Sequence, residues 1–218
     1  EAVAARADRR LHLDRDRRDR QRLADTVCHH LRVASNEEIV HELPMRWADL
    51  DSLNHVNNVV YVDYASEARG LLVKDGLLDA DEHVQRMAVD FLRPLLLSSQ
   101  PVRVTSSRNG DELVQEITSV DADLVYARVT TTFGPKLEVE RGAATFEPYP
   151  LRIRRSDVDA TGTVSLTKAF EYFQEARIVL FTSLRRDGSG ASRFVVGHVD
   201  VTFGDSITWR REPYPVRS

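Results

Sequence analysis

From position 40 onward, the spacing of apolar residues predicts one strand, one long helix and then four further strands. Val40 to Arg46 reads as a strand, and Pro44, which has no N–H to give a ladder, confines it to an edge or a bulge. Asn57 or Asn58 is a good helix N-cap, and Val59 to Val73 follows with neither Gly nor Pro before Gly70. Apolar residues at 59–62, 64, 65, 68, 71 and 72 cover more than one face, so this helix is expected to be largely buried. After a loop from Lys74 to Asp81, the runs Val84 to Leu92, Pro101 to Ser106, Leu113 to Val120 and Leu124 to Phe133 read as strands. Asn109-Gly110 and the Asp121–Asp123 stretch supply turns between the last three, which predicts an antiparallel meander.

The pattern then recurs. At an offset of 108, Asp49, Asp51, Val56 and Tyr64 fall on Asp157, Asp159, Val164 and Tyr172, and Glu67, Ala68, Arg69 and Leu72 on Glu175, Ala176, Arg177 and Leu180. At an offset of 112, Val84, Phe91, Pro101 and Val104 fall on Val196, Phe203, Pro213 and Val216. The four-residue difference fits an insertion in the loop Arg185 to Ser192. The chain thus reads as a tandem duplication, with helices near 57–74 and 165–184. Ser218 corresponds to Ser106, so the last two strands of the repeat have no counterpart. The expectation is a C-terminally incomplete second copy, with the natural product continuing beyond Ser218.

Composition narrows the function classes. The chain's 218 residues suffice for about two domains of roughly 100 residues. A net charge of −4 argues against a dedicated nucleic-acid binder. The single cysteine, Cys28, rules out an internal disulfide, a CxxC redox centre and a thiolate zinc cluster. His29 and His30, adjacent and splayed about 100° apart on a helix, do not converge on a metal. No apolar run reaches the roughly 20 residues of a membrane span and no signal-peptide core is present, which points to a cytoplasmic protein. The chain begins with Glu1 rather than Met, as a fragment or processed product would. Residues 1–36 alternate Arg with Asp and read as a solvated helix or tail.

The chemical candidates crowd the junction between the first strand and the helix, from Trp47 through Asp49, Asp51, Asn54, His55, Asn57 and Asn58 to Tyr61. A helix N-terminus presents unpaired N–H groups and the positive end of the dipole, which stabilise developing negative charge. A carboxylate beside such donors can attack an acyl carbon or polarise water while the N–H groups hold the oxyanion. Equally, Asp49 and Asp51 can merely cap the turn, with His55 and Asn57 satisfying backbone groups. The residue types alone leave both open.

The stretch RWADLDSLNHVNNVVYVDYASEAR resembles the strand–helix signature of the hotdog-fold acyl-CoA thioesterases, the 4-hydroxybenzoyl-CoA thioesterase-like group. Its HVNN-x-x-Y element is similar to that of the acyl-ACP thioesterases, and VQRMAVDFLRPLLLSSQPVRV resembles the next strand of the family. The resemblance covers about 40–133 and, more weakly, 148–218. It implies an α+β double hotdog, each copy an antiparallel sheet wrapped around a long helix. The expected parts are a charged extension (1–36), a first hotdog domain (37–147) and a truncated second one (148–218). Two copies in one chain would form internally the pair that other family members form between subunits, with further homo-oligomerisation left open.

By position, the resemblance puts Asp51 at the catalytic carboxylate and His55 at the histidine of the acyl-ACP enzymes, with Asn54, Val56, Asn57, Asn58 and Tyr61 as substrate-binding neighbours. Leu53 stands where those enzymes have an asparagine, and Asn54 replaces a glycine that the second copy keeps as Gly162. A candidate second site rests on Asp159 and on Glu67, a helix carboxylate that fits a structural role at least as well. In the second copy His55 becomes Thr163, Asn57 becomes Ser165 and Tyr61 becomes Ala169, so one equipped site is expected. Arg93 and Arg103 are candidates for CoA phosphates at a groove mouth, though surface arginines are usually just solvated. The implied activity is hydrolysis of an acyl-CoA or acyl-ACP thioester in lipid metabolism, with no cofactor and no metal. A hotdog hydratase lacks its motif here, and no G-x-S-x-G elbow is present. A non-catalytic acyl-CoA-binding or structural pseudo-dimer is the alternative, favoured by the depleted second copy.

Overall fold

The computed structural model describes residues 38–120, 122–138, 147–186 and 195–216. The charged extension and the loop expected to carry the insertion lie largely outside them. Strand β1 (Ile39–Leu43) stops just before Pro44, and a 3-10 turn (Trp47–Asp49) leads to helix α1 (Asn58–Lys74). Strands β2 (Val84–Phe91), β3 (Val102–Asn109), β4 (Glu112–Ser119) and β5 (Ala122–Phe133) follow. Then come β6 (Tyr149–Leu151), a second 3-10 turn (Arg155–Asp157), α2 (Leu166–Arg186), β7 (His198–Thr202) and β8 (Tyr214–Val216).

One antiparallel sheet runs in the order β1-β3-β4-β5-β2-β7, and β6 pairs with β8 in a separate ribbon. The inner faces of β2 to β5 bury Met87, Val89, Val104, Ile117 and Val129 completely, in the period-two alternation that a one-sided strand requires. They pack on α1, which buries Val59, Tyr61, Val62, Tyr64, Ala65, Ala68 and Leu72. Each fully buried Val or Leu contributes about 1.5–3 kcal/mol, so this face holds the helix in the sheet's concavity. A polar tie adds registration: the Gln115 amide, fully buried, donates to the Ala65 carbonyl (2.9 Å) and to Ser106 Oγ (3.3 Å). The α+β architecture expected of the first half, a sheet wrapped around one long helix, is what the described residues between 38 and 138 form.

The sheet's sixth strand comes from the second half of the chain. Ala88 on β2 faces Asp200 on β7, its own counterpart at the 112-residue offset, and the register is symmetric about that pair. Arg86 faces Thr202, the counterpart of Asp90, while Asp90 faces His198, the counterpart of Arg86. The outer face of the seam is charged. Arg86 donates to both carboxylate oxygens of Asp200, and His198 Nδ1 lies 2.7 Å from Asp90 Oδ1. The Arg86 guanidinium holds the Asp200 carboxyl below its ordinary value.

Helix α2 joins the main core through Phe170 and Leu166, so residues Glu38–Ser218 form one compact unit. A smaller cluster of Leu151, Ile153, Val164 and Tyr172 lies under the β6–β8 ribbon. Among the described residues no strands cover the rest of α2 as β3 to β5 cover α1. Phe173, at the position of the buried Ala65, is 44% exposed, and Ile178 and Val179 are exposed as well.

Candidate active site

The junction ahead of α1 is built from side chain to backbone hydrogen bonds. Asp49 Oδ2 accepts from the Arg46 N–H (2.7 Å) and from the Tyr64 hydroxyl (2.6 Å), pinning the 3-10 turn to the helix. Burial, reinforced by that carboxylate, pushes the Tyr64 hydroxyl well above the ordinary tyrosine value. The Asp49 carbonyl accepts from Asn57 N–H at 2.9 Å. Asp51 opens a tight turn in which its Oδ1 accepts from the N–H groups of Leu53 (2.8 Å) and His55 (3.1 Å). Asn54, two residues before Val56, takes φ 59°, a left-handed conformation that Asn tolerates and Gly162 matches at φ 83°. Asn57 is the N-cap, its Oδ1 accepting from Val59 N–H at 3.1 Å.

A cavity of about 720 Å3 opens beside this turn, and Asp51, His55, Val56, Asn57, Asn58 and Tyr61 all line it. The end of β2 and the following loop, Phe91 to Pro94, form a second wall. The third comes from the other half of the chain: Gln174, Arg177 and Ile178 of α2, with Val195 and Val196. Tyr61 is 2% exposed. Its hydroxyl accepts from Leu95 N–H (3.1 Å) and approaches the Arg93 carbonyl (3.5 Å), and burial pushes its pKa to about 12. It anchors the loop that frames the cavity.

Which donors are free can be counted. The N–H groups of Leu53 and His55 go to Asp51, that of Val56 to the Leu95 carbonyl, and that of Val59 to the Asn57 cap. The Val60 N–H donates to the Asn57 carbonyl. Among the described residues, the Asn58 N–H is the one donor in the first turn of α1 left without a partner. Asp51 Oδ2 and the His55 ring are likewise free of hydrogen bonds to described residues. Two cations border the same space. Arg93 spends one nitrogen on the Val125 carbonyl (2.9 Å). Arg177, its pKa lowered by burial, has no carboxylate partner among the described residues.

Three of the expected residues stand apart. Asn54 shapes the turn but is exposed and does not line the cavity. Glu67 sits on the solvent side of α1, away from it. Asp159 repeats the turn geometry of Asp51, its Oδ1 accepting from Thr161 N–H (2.8 Å), Thr163 N–H (3.0 Å) and the Thr161 hydroxyl (2.6 Å). The Thr161 hydroxyl, followed by these backbone donors, holds its carboxyl below the ordinary value. Of the two arginines, Arg103 is spent on Glu42 at 3.2 Å, away from the cavity. The sequence reading missed Arg177, Gln174 and Ile178 as wall residues. The identities at the 108-residue offset were the signal that could have found them, since a two-fold pair of such units would bring each helix to the other's junction.

A sheet curled on a central helix is the hotdog fold. The chain shares it with a structure described as an oleoyl thioesterase from Lactobacillus plantarum, at 14% identity over 81% of each chain and a TM-score of 0.61. It is similar also to the 12:0-ACP thioesterase from Umbellularia californica, at 11% identity over 78% of this chain and 83% of that one, TM-score 0.57. An acyl-ACP thioesterase from Bacteroides thetaiotaomicron gives 12% identity over 81% and 85%, TM-score 0.58. Identities this low speak for the fold alone. At the level of sequence, residues 33–133 match the family model of the acyl-ACP thioesterase C-terminal domain. No curated protein matches the chain.

Proposed function

We propose that this chain hydrolyses acyl thioesters to free acid and thiol in the cavity beside Asp51. The observation that carries the reading is that Asp51, His55 and Asn58 line a single cavity, with one Asp51 carboxylate oxygen, the His55 ring and the Asn58 N–H free of hydrogen bonds to described residues. Asp51 acts either as base, taking a proton from the water that attacks the acyl carbon, or as nucleophile, forming an acyl anhydride that water then hydrolyses, and the Asn58 N–H holds the oxyanion. When the tetrahedral centre collapses the C–S bond breaks, and His55 relays to the departing thiolate a proton that comes from the attacking water. A thioester is activated relative to an amide, so no Ser-His-Asp set is needed. Val56 and Tyr61 shape the acyl side, and Asn57 holds the helix terminus in place.

Arg177 and Arg93 suit the phosphate of a phosphopantetheine arm, which acyl-CoA and acyl-ACP share. The family match over residues 33–133 favours the carrier-protein thioester. The chain is a tandem double hotdog with halves at 37–147 and 148–218. The symmetric register about Ala88 and Asp200, and the turns of Asp51 and Asp159 bonded alike, support that reading. One observation favours the alternative of a non-catalytic acyl-binding pseudo-dimer: Asp51 Oδ1 is occupied by the turn, as in Asp159, which lines no such cavity. Thiol release from short, medium, long and aromatic acyl-CoAs and from matching acyl-ACPs tests the proposal. Release with any of them supports hydrolysis, and binding without release supports the alternative.

A further inference from the structure

A second cavity, of about 240 Å3, lies where the pseudo-symmetry places the partner of the first. Thr163, Val164, Ser165, Leu166 and Ala169 line it in the places of His55, Val56, Asn57, Asn58 and Tyr61. Phe203 stands for Phe91 there and Asp205 for Arg93, while His83 and Val84 cross from the first half as Val195 and Val196 cross from the second. The wall exchange is therefore reciprocal, with each half completing the other's cavity.

The substitutions define what this space accepts. Asn58 to Leu166 and Tyr61 to Ala169 exchange polar or hydroxyl-bearing groups for aliphatic ones. Asp205 puts an anion where Arg93 offers a cation, and Lys136 pairs with it, so neither charge is free for a phosphate. Of the uncharged polar side chains, Thr163 Oγ1 already accepts from the Thr161 hydroxyl (3.0 Å) and Ser165 Oγ from the Lys168 N–H (3.4 Å), which leaves, among the described residues, the Ser206 hydroxyl and the His83 ring for the head of a ligand. The volume equals that of roughly eight water-sized groups, room for a chain of similar carbon count. The counterpart of the Asp51 carboxylate is missing from this space, because Asp159 is not part of the lining, and the one carboxylate that is, Asp205, is paired with Lys136. We infer that this second cavity is a binding site, without hydrolysis, for a short uncharged aliphatic chain bearing one hydrogen-bonding head, such as a fatty amide or ester. The inference does not depend on chemistry at Asp51.

The probe is octanamide, and the readout is the ring signal of His83 in a nuclear magnetic resonance titration, assigned through His83→Gln. Octanamide should shift that signal saturably, and octyl phosphate, for which the Lys136–Asp205 pair leaves no free cation, should need at least tenfold higher concentration. Ala169→Tyr installs the ring that the first half already accommodates at Tyr61, and Ala169→Leu fills the space more gently. Either should weaken the His83 response tenfold or more. An unshifted His83 signal in the wild type up to the solubility of octanamide overturns the inference without any variant. So does an unchanged response in folded Ala169→Tyr or Ala169→Leu protein, or equal responses to octanamide and octyl phosphate.

Discussion

Replacing Tyr61 by Phe removes one oxygen from the centre of the fold and leaves the ring, with its 5.8 Å edge contact to Phe91, in place. The oxygen accepts from the Leu95 N–H at 3.1 Å, and both residues are buried. Without it that N–H is left dry and unpaired, at a cost of about 1–3 kcal/mol. The contact to the Arg93 carbonyl, at 3.5 Å, lies at the limit of a hydrogen bond and adds little. Taking about 2 kcal/mol, and about 2–4 °C of melting temperature per kcal/mol for a chain of this size, Tm should fall by about 4–8 °C. The loosening reaches the turn of the candidate site, because the Leu95 carbonyl receives the Val56 N–H at 2.8 Å. Thermal unfolding followed by circular dichroism at neutral pH measures the effect. A second signature comes from base. The Tyr61 hydroxyl is raised to about 12, so its contribution is whole below the unfolded value near 10 and is lost as pH climbs from 10 through 12. Tyr61→Phe should lose less stability than the wild type over that window. A melting temperature within about 1 °C of wild type, with the same alkaline profile, would refute the anchoring role.

Asn57→Ala should lower stability by about 0.5–2 kcal/mol through the lost cap at α1, and Asn57→Ser should restore much of it; chemical denaturation reads both. Gly162→Ala, at φ 83°, should cost about 1–2 kcal/mol, whereas Asn54→Gly, at φ 59°, should be neutral or stabilising in the same assay. The Asp200 carboxyl is depressed by Arg86, so its contribution is present above the unfolded value near 3.8 and disappears as pH falls below it. Asp200→Asn should therefore flatten the acid limb of the melting profile below about pH 4.

The first half was legible because its signals are local. The apolar spread of Val59 to Val73, the Asn57 cap, the Asn109-Gly110 turn and the alternation in β2 to β5 each name an element without reference to distant chain. The seam was not, since alternation in β2 and β7 says which faces are buried but not which edges pair. The wall supplied by α2 depends on that seam, so Arg177, marked in the sequence only as the counterpart of Arg69, gained its place only from the tertiary arrangement. Asp51 was singled out by its neighbours and by resemblance. That one of its oxygens holds the turn together, while the other is free, is a matter of two backbone donors whose directions no residue type encodes. The polar interior tie at Gln115 left no mark on the alternation either, because a buried glutamine sits at an inward position that the pattern assigns to an apolar residue.

The most direct test compares wild type with Asp51→Asn in a thiol-release assay on acyl-CoA and acyl-ACP substrates, alongside their melting curves. The amide keeps an Oδ1 able to accept from Leu53 and His55, so the turn survives and Tm should shift by only a few degrees. What it loses is the base or nucleophile, and kcat should fall by about 100- to 10,000-fold. Folded Asp51→Asn protein that releases thiol at the wild-type rate, or a wild type that binds every thioester and cleaves none, would contradict the account.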